Sequence, residues 1–275
     1  MMGTNYASKA VNIALGEVGY LEKETNSNLY SKTGNAGDEN YNKYAYEFDT
    51  KYYKFYNGKK NGYAWCDIFV DWCLVKAFGV YPAMDLLGQP LKSCGAGCTW
   101  SAKYYKKIGQ FFATPKVGDQ IFFKDSSGDP CHTGIVYKVD SNYVYTVEGN
   151  TSSAKGVVAN GGAVAKKSYA RNYSRIYGYG RPKYDAEPVK ATKKTYSGTF
   201  PTLPARGYFK NGDTGTQVRN LQKFLNWYGG YKLAVDGDLG PKTLSAVKDF
   251  QIKEKLEVDG LFGKASLARA KIIKK

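Results

Sequence analysis

A chain of 275 residues with 43% apolar side chains has material for two ordinary domains, each with its own buried core. Its 40 Lys and Arg against 24 Asp and Glu leave a net charge of +16, which draws it toward polyanions such as nucleic acid, anionic lipid or anionic wall polymers. No apolar run reaches the length of a bilayer-spanning helix, and zinc-finger spacing, a basic zipper and an aromatic RNA-binding signature are all missing; an integral membrane segment is excluded and no nucleic-acid partner is expected.

From the N-terminus, Met1 to Tyr20 carries Glu17 and polar residues where a signal peptide needs a continuous apolar stretch, and a helix is expected over about Ser8 to Val18. A second helix is predicted from Cys66 to about Phe78, because Cys66, Phe69, Val70, Cys73 and Ala77 recur on one face. Three strands follow: Gln120 to Phe123, Gly134 to Val139 and Tyr143 to Val147, with a turn at Asp140-Ser141-Asn142 between the last two. Helices followed by an antiparallel sheet make an α+β domain over residues 1–184.

Residues 185–206 are rich in Lys, Thr, Ser and Pro and read as a linker. A second domain is expected over 207–275. Its first helix spans Asp213 to Trp227, with Val218, Leu221 and Leu225 on the apolar face. The stretch Lys232 to Leu244 is then echoed by Lys255 to Leu267, each copy holding a Val-Asp-Gly turn, a further glycine and a helix start, with Pro241 suited to a first helical turn. Three short helices joined by glycine turns are expected. Asp236, Gly237, Asp259 and Gly260 are ordinary turn residues by type.

Five cysteines, Cys66, Cys73, Cys94, Cys98 and Cys131, are too few and too irregularly spaced for a disulfide scaffold, and an odd number leaves at least one thiol free unless chains pair. Cys66 falls where a helix begins, so the helix dipole and unpaired amides would favour its thiolate. His132, the single histidine, stands beside a predicted strand and is the one imidazole available as a base. Glu148 and Asn150, at the end of the next strand, return to the same end of the hairpin and are both candidates to orient it. Cysteines on apolar helix faces and histidines beside strands are usually core residues, so the combination carries more weight than either residue.

The ordered segments Gly62-Tyr63-Ala64-Trp65-Cys66-Asp67-Ile68-Phe69-Val70-Asp71-Trp72-Cys73, Val117-Gly118-Asp119-Gln120-Ile121-Phe122-Phe123, His132-Thr133-Gly134-Ile135-Val136 and Val147-Glu148-Gly149-Asn150-Thr151 resemble a CHAP domain of the papain-like NlpC/P60 group. The resemblance extends over about Met1 to Tyr184. It implies a papain-like helix-plus-sheet fold and a cysteine peptidoglycan amidase or endopeptidase, with Cys66 as nucleophile, His132 as base and Glu148 or Asn150 as the orienting group. Phe209 to Lys271 is similar to the three-helix peptidoglycan-binding module of lytic enzymes, through Asn211-Gly212-Asp213-Thr214-Gly215, Val218-Arg219-Asn220-Leu221-Gln222 and the two Val-Asp-Gly copies. Together they resemble a phage endolysin or an autolysin acting on bacterial peptidoglycan. Without a signal peptide, the implied location is the cytoplasm until a holin or lysis releases the protein, with secretion as the alternative.

No cofactor and no metal are expected. Some CHAP domains hold calcium in an Asp-rich loop before the cysteine, but Phe55 to Ala64 contains no carboxylate, and Asp38, Glu39 and Asp49 lack a calcium-loop spacing. Two rival readings stand beside the hydrolase. One is a zinc-dependent enzyme drawing on Cys94, Cys98, Cys131 and His132, although Cys131 and His132 would point to opposite faces of a strand. The other is a wall-binding protein without catalysis.

Overall fold

The computed structural model describes residues 3–52, 55–90, 94–184, 196–254 and 256–273. It divides into two compact units, the first drawn from residues before 185 and the second holding those from 196 onward.

In the first unit, helix α1 (Gly3–Gly16) buries Ala7, Ala10, Val11 and Ala14 at helical spacing. Helix α2 (Lys43–Thr50) starts at Asn42, whose side-chain oxygen accepts the Ala45 amide at 2.8 Å and so satisfies one of the unpaired donors of the first turn. Helix α3 (Cys66–Phe78) has the predicted limits and is sheathed on all sides, with every residue from Cys66 to Val75 buried. Short helices α4 (Val80–Leu87) and α5 (Cys98–Lys107) follow.

The sheet is antiparallel throughout, with spatial order β1-β6-β2-β3-β4-β5 for β1 (Phe111–Phe112), β2 (Gln120–Lys124), β3 (Pro130–Val139), β4 (Tyr143–Thr151), β5 (Ala163–Ala170) and β6 (Ile176–Gly180). Helix α3 packs on β3 and β4, and α5 on β3. The helix approaches closely because Gly149 carries no side chain: a Cβ there would sit 2.6 Å from Phe69 Cβ and 2.8 Å from the Trp65 ring. The unit is α+β, as expected, with three strands more than the hydrophobic pattern indicated.

The second unit consists of helices α6 (Thr216–Gly229), α7 (Pro241–Lys253) and α8 (Lys264–Ile273), tied by the two-residue strands β7 (Tyr208–Phe209) and β8 (Phe262–Gly263). Helix α6 begins later than the pattern implied, because the Asp213 carboxylate accepts the Lys210 amide at 2.9 Å and holds a turn, after which Gly215 takes φ 111°. The core gathers Val218, Leu221, Phe224 and Leu225 of α6 with Val247 and Phe250 of α7. Tyr196 is buried in that core, and Phe200 and Leu203 pack against it. The expected linker therefore does not extend through residues 196–206, where three large apolar side chains find a surface to cover; its earlier part, residues 185–195, lies outside the described residues.

The two Val-Asp-Gly copies are the same hydrogen-bonded knot built twice. Gln222 of α6 donates its amide to Asp236 Oδ1 at 2.7 Å and to the Asp238 carbonyl at 2.9 Å, and its carbonyl accepts the Gly237 amide at 2.9 Å. Gln251 of α7 donates to Asp259 Oδ1 at 2.7 Å and to the Leu261 carbonyl at 3.0 Å, and accepts the Gly260 amide at 3.0 Å. Each aspartate also accepts the amide two residues on, closing an Asx turn. The repeat in the sequence is thus a repeat of helix-to-turn clasps.

Candidate active site

Trp65 fixes the start of α3. Its buried indole donates to Glu22 Oε2 at 2.7 Å and stacks on Tyr44 with ring centroids 5.4 Å apart, which leaves no freedom in where the next residue lies. That residue is Cys66, the first of the helix, and no side chain caps the helix there. Its thiol meets the Asp67 amide, in the positive end of the helix dipole.

His132 lies near the start of β3, paired with Phe123 of β2 and stacked on its ring at 6.0 Å. The imidazole is fully buried. Its Nε2 stands 3.0 Å from Glu148 Oε2. The contact is diagonal across the hairpin: Ile135 pairs with Val147, and His132 and Glu148 lie three and one residues beyond that pair. Glu148 is itself anchored, accepting from Thr146 Oγ1 at 2.5 Å and from the Tyr169 hydroxyl at 3.2 Å. With Nε2 committed to the carboxylate, Nδ1 is the nitrogen left for the Cys66 sulfur, and it is buried with no other partner.

Asn150 is not part of this chain of contacts. A bulge at the end of β4 puts it at φ 53°, and its amide group joins Asn40 Oδ1 and the Gly162 amide, both at 3.3 Å. Of the two candidates to orient the imidazole, Glu148 touches it and Asn150 holds the turn that follows.

The charges reinforce one another. A hydrogen bond from the Cys98 thiol and the neighbouring imidazolium hold the Cys66 thiol well below its ordinary range, against the contrary effect of burial. Burial alone would lower the His132 pKa, but hydrogen bonding to Cys66 and Glu148, and then their charges, outweigh it and lift it to about 9. The arrangement is that of a thiolate–imidazolium pair with a carboxylate behind it, able to attack a carbonyl and return a proton to a leaving amine.

Two contacts at this site were not foreseen. Cys98, at the first position of α5, stands with its sulfur 3.7 Å from that of Cys66, and its own pKa is driven well up by that hydrogen bond and by burial. Asp67, fully enclosed next to Cys66, accepts from Ser101 Oγ at 2.8 Å and Gln120 Nε2 at 2.9 Å, and burial followed by the Cys66 charge pushes its pKa up to about 7. An acidic residue beside a cysteine and a cysteine at a glycine-flanked helix start were visible signals, but only the fold brings α5 onto α3.

The other thiols point elsewhere. Cys94 donates to the Phe55 carbonyl at 3.2 Å, Cys131 approaches the Phe123 carbonyl at 3.5 Å and receives the Arg175 guanidinium, and Cys73 is buried within α3. All five are free thiols, and among the described residues no group of three or more His, Cys, Asp or Glu side chains is placed to hold a metal ion. Cys94, Cys98 and His132 therefore do not gather as a zinc site. Asp49, considered earlier for calcium, spends both oxygens on the Lys60 and Asn61 amides at 2.9 and 3.0 Å, shaping the loop ahead of Cys66.

Two family models match the chain. Residues 58–150 match the model of the CHAP domain, and residues 214–269 match that of a putative peptidoglycan-binding domain. The chain combines a CHAP domain with a peptidoglycan-binding domain. It is 42% identical over 73 residues to the carboxy-terminal processing protease CtpA of Bacillus subtilis (strain 168), a match covering 26% of this chain and 15% of that relative. The crystal structure of Ly7917 aligns with a TM-score of 0.37 and 14% identity, over 65% of this chain and 62% of that one.

Proposed function

We propose that the chain is a cysteine peptidoglycan hydrolase that cleaves an amide bond of the cell wall, either in the stem peptide or cross-bridge or at the N-acetylmuramoyl-L-alanine link. The observation that carries this reading is the order Cys66, His132, Glu148: a thiol at a bare helix start, an imidazole that interacts with it, and a buried carboxylate 3.0 Å from the imidazole Nε2. Cys66 acts as nucleophile, His132 as base and then acid, and Glu148 as the group that orients and charges the imidazole.

The Cys66 thiolate attacks the amide carbonyl to give a tetrahedral oxyanion. Backbone amides at the start of α3 are suited to receive it, a type of contact worth on the order of 3 kcal/mol in the transition state. Collapse breaks the C–N bond, with the His132 imidazolium protonating the departing amine, and leaves a thioester on Cys66. His132, now neutral, takes a proton from water as it attacks the thioester, and the acid product leaves.

In this reading residues 1–184 form the catalytic domain, and the second domain, expected from Gly207 and joined by the core-forming segment 196–206, holds the enzyme on its polymeric substrate. Retention by wall polymer raises the local concentration of scissile bonds without any new contact at the thiol. The basic charge favours an anionic wall. Release from the cytoplasm by a holin or by lysis, or secretion, would bring the protein to that wall.

Turbidity loss of a purified wall suspension tests the activity. Cys66→Ala and His132→Ala are each expected to abolish lysis while the protein still sediments with walls; a Cys66→Ala protein that still lysed them would overturn the mechanism. Mass spectrometry of the released fragments would identify the bond, since an amidase frees the lactoyl carboxyl and an endopeptidase frees a peptide terminus.

A further inference from the structure

Two thiols in van der Waals contact beside His132 invite a chemistry that hydrolysis does not use. Cys66 and Cys98 each open a helix, α3 and α5, and the two helix starts converge so that their sulfurs lie 3.7 Å apart. Both side chains retain 6% exposure, whereas Cys73 and Cys94 have none, so a small oxidant reaches this pair before either of those. Neither α5 nor its N-terminal turn is tied to α3 by a covalent link, and Gly95 and Gly97 flank the approach to Cys98.

We propose that Cys98 is a resolving thiol, and that peroxide converts the pair to a reversible Cys66–Cys98 disulfide that switches off the hydrolase and shields its nucleophile from permanent oxidation. The inference rests on Cys66 being the reactive thiol of the function proposed above. In the first step the Cys66 thiolate attacks a peroxide oxygen: an S–O bond forms, the O–O bond breaks, hydroxide or alkoxide leaves, and the sulfur is oxidised by two electrons to a sulfenic acid. In the second, the Cys98 sulfur attacks the sulfenic sulfur and gives up its proton: the S–S bond forms, the S–O bond breaks and water leaves. A disulfide needs its sulfurs near 2.05 Å, a closure of less than 2 Å that side-chain rotation at two helix starts supplies. A dithiol reductant reverses the sequence by exchange and restores both thiols.

Attack on Cys66 by any other nucleophile is disfavoured by position. Cys131 is the other nearby thiol, but its sulfur is directed to the Phe123 carbonyl and the Arg175 guanidinium. Without Cys98, the sulfenic acid would meet only further peroxide and climb to sulfinic and sulfonic acids, which a dithiol does not reverse.

The test is peptide mapping of the full-length protein after a pulse of hydrogen peroxide in several-fold molar excess and alkylation under denaturing conditions, with wall lysis followed in parallel. The wild type should yield a cross-linked pair of peptides containing Cys66 and Cys98, two hydrogens lighter than their sum, and lose lysis until a dithiol restores it. Cys98→Ser should yield Cys66 carrying two or three added oxygens and lysis that a dithiol does not restore; Cys131→Ser should behave as the wild type. If wild-type Cys66 gains only oxygens, or cross-links to Cys131, the proposal is overturned. Mapping of the wild type decides this even if Cys98→Ser fails to fold. It also reads thiol chemistry whether or not the chain lyses walls, so failure of the switch and failure of the hydrolase are seen separately.

Discussion

Gly134 lies against Glu148 with no side chain between them, and a Cβ on Gly134 would fall 2.5 Å from Glu148 Cγ. The strand that carries His132 therefore leaves a gap, two residues on, for the carboxylate that holds His132. Gly134→Ala should push Glu148 off its 3.0 Å contact while the rest of the sheet survives, costing about 1–3 kcal/mol of stability through overpacking. We expect a fall in kcat of roughly ten- to a hundredfold, on the scale of a disturbed general base, with KM changed little. Steady-state kinetics on soluble wall fragments, beside a thermal melt, would separate the two effects.

Glu148 and Asn150, equal candidates in the sequence, are given opposite consequences by the structure. Glu148→Gln keeps the size of the side chain but removes the charge facing Nε2 and can leave the imidazole in the wrong tautomer, so kcat should drop by on the order of 10² to 10⁴. Asn150 holds a positive-φ turn and touches no part of the imidazole. Asn150→Ala should lower the melting temperature and leave kcat within about tenfold of wild type. A kcat loss for Asn150→Ala as large as that for Glu148→Gln would show that the wrong residue has been assigned to the histidine.

The pH dependence follows from the directions of two shifts. Cys66 is held well below its ordinary value by the Cys98 hydrogen bond and the His132 imidazolium, so the acidic limb of kcat/KM should lie well below pH 9. His132 is raised to about 9, so the proton needed by the leaving amine is lost, and activity falls, as pH rises through about 9. The same shift has a sign for stability. An imidazole whose folded pKa exceeds its unfolded value near 6.5 contributes stability that is fully present below about pH 6.5 and is lost as pH rises toward 9. In Glu148→Gln, which removes one cause of the rise, the basic limb should move to lower pH. A profile of initial rates from pH 5 to 10 would register that movement.

What the sequence disclosed about this site, and what it hid, divides by the range of the interaction. Helix α3 could be read because Cys66, Phe69, Val70, Cys73 and Ala77 recur on one face, and the β3–β4 hairpin because β-branched and aromatic residues flank an Asp-Ser-Asn turn. Strand β5 does not show in the pattern: Lys166 and Lys167 interrupt its apolar alternation, and the buried Lys167 is satisfied by the Ser152 carbonyl at 2.9 Å and by the Ala154 carbonyl. Strand β6 was missed because Gly178 and Gly180 dilute its pattern, yet Gly180 is required where a side chain would strike the Tyr105 ring. Cys98 could be flagged as a thiol but not as a neighbour of Cys66, since that contact depends on how α5 meets α3. That Glu148 contacts the imidazole and Asn150 does not depends on a single bulge, which flips the residues beyond it and which no periodicity shows.

The second unit yields a prediction in which the bland reading of its motif has measurable content. Asp236 and Asp259 are held by glutamines from the preceding helices, the Gln251 amide engaged at three points and the Gln222 amide at four, Thr243 Oγ1 being the fourth. Gln222 and Gln251 are almost completely buried, so truncating either strands a turn amide and a turn carbonyl away from water. Gln222→Ala and Gln251→Ala should each destabilise the unit by about 1–3 kcal/mol, whereas Gln→Glu, which cannot donate to the aspartate, should cost at least as much by opposing two carboxylates. If the Asp-Gly pairs served as ligands for the wall, these variants would lose binding in proportion to the ligand contact even at temperatures where they remain folded. As turn clasps, they should bind walls normally well below their lowered melting temperatures and lose binding only as they melt. Co-sedimentation of the Cys66→Ala full-length protein with purified walls, measured for each glutamine variant against its melting curve, distinguishes the two outcomes without interference from lysis.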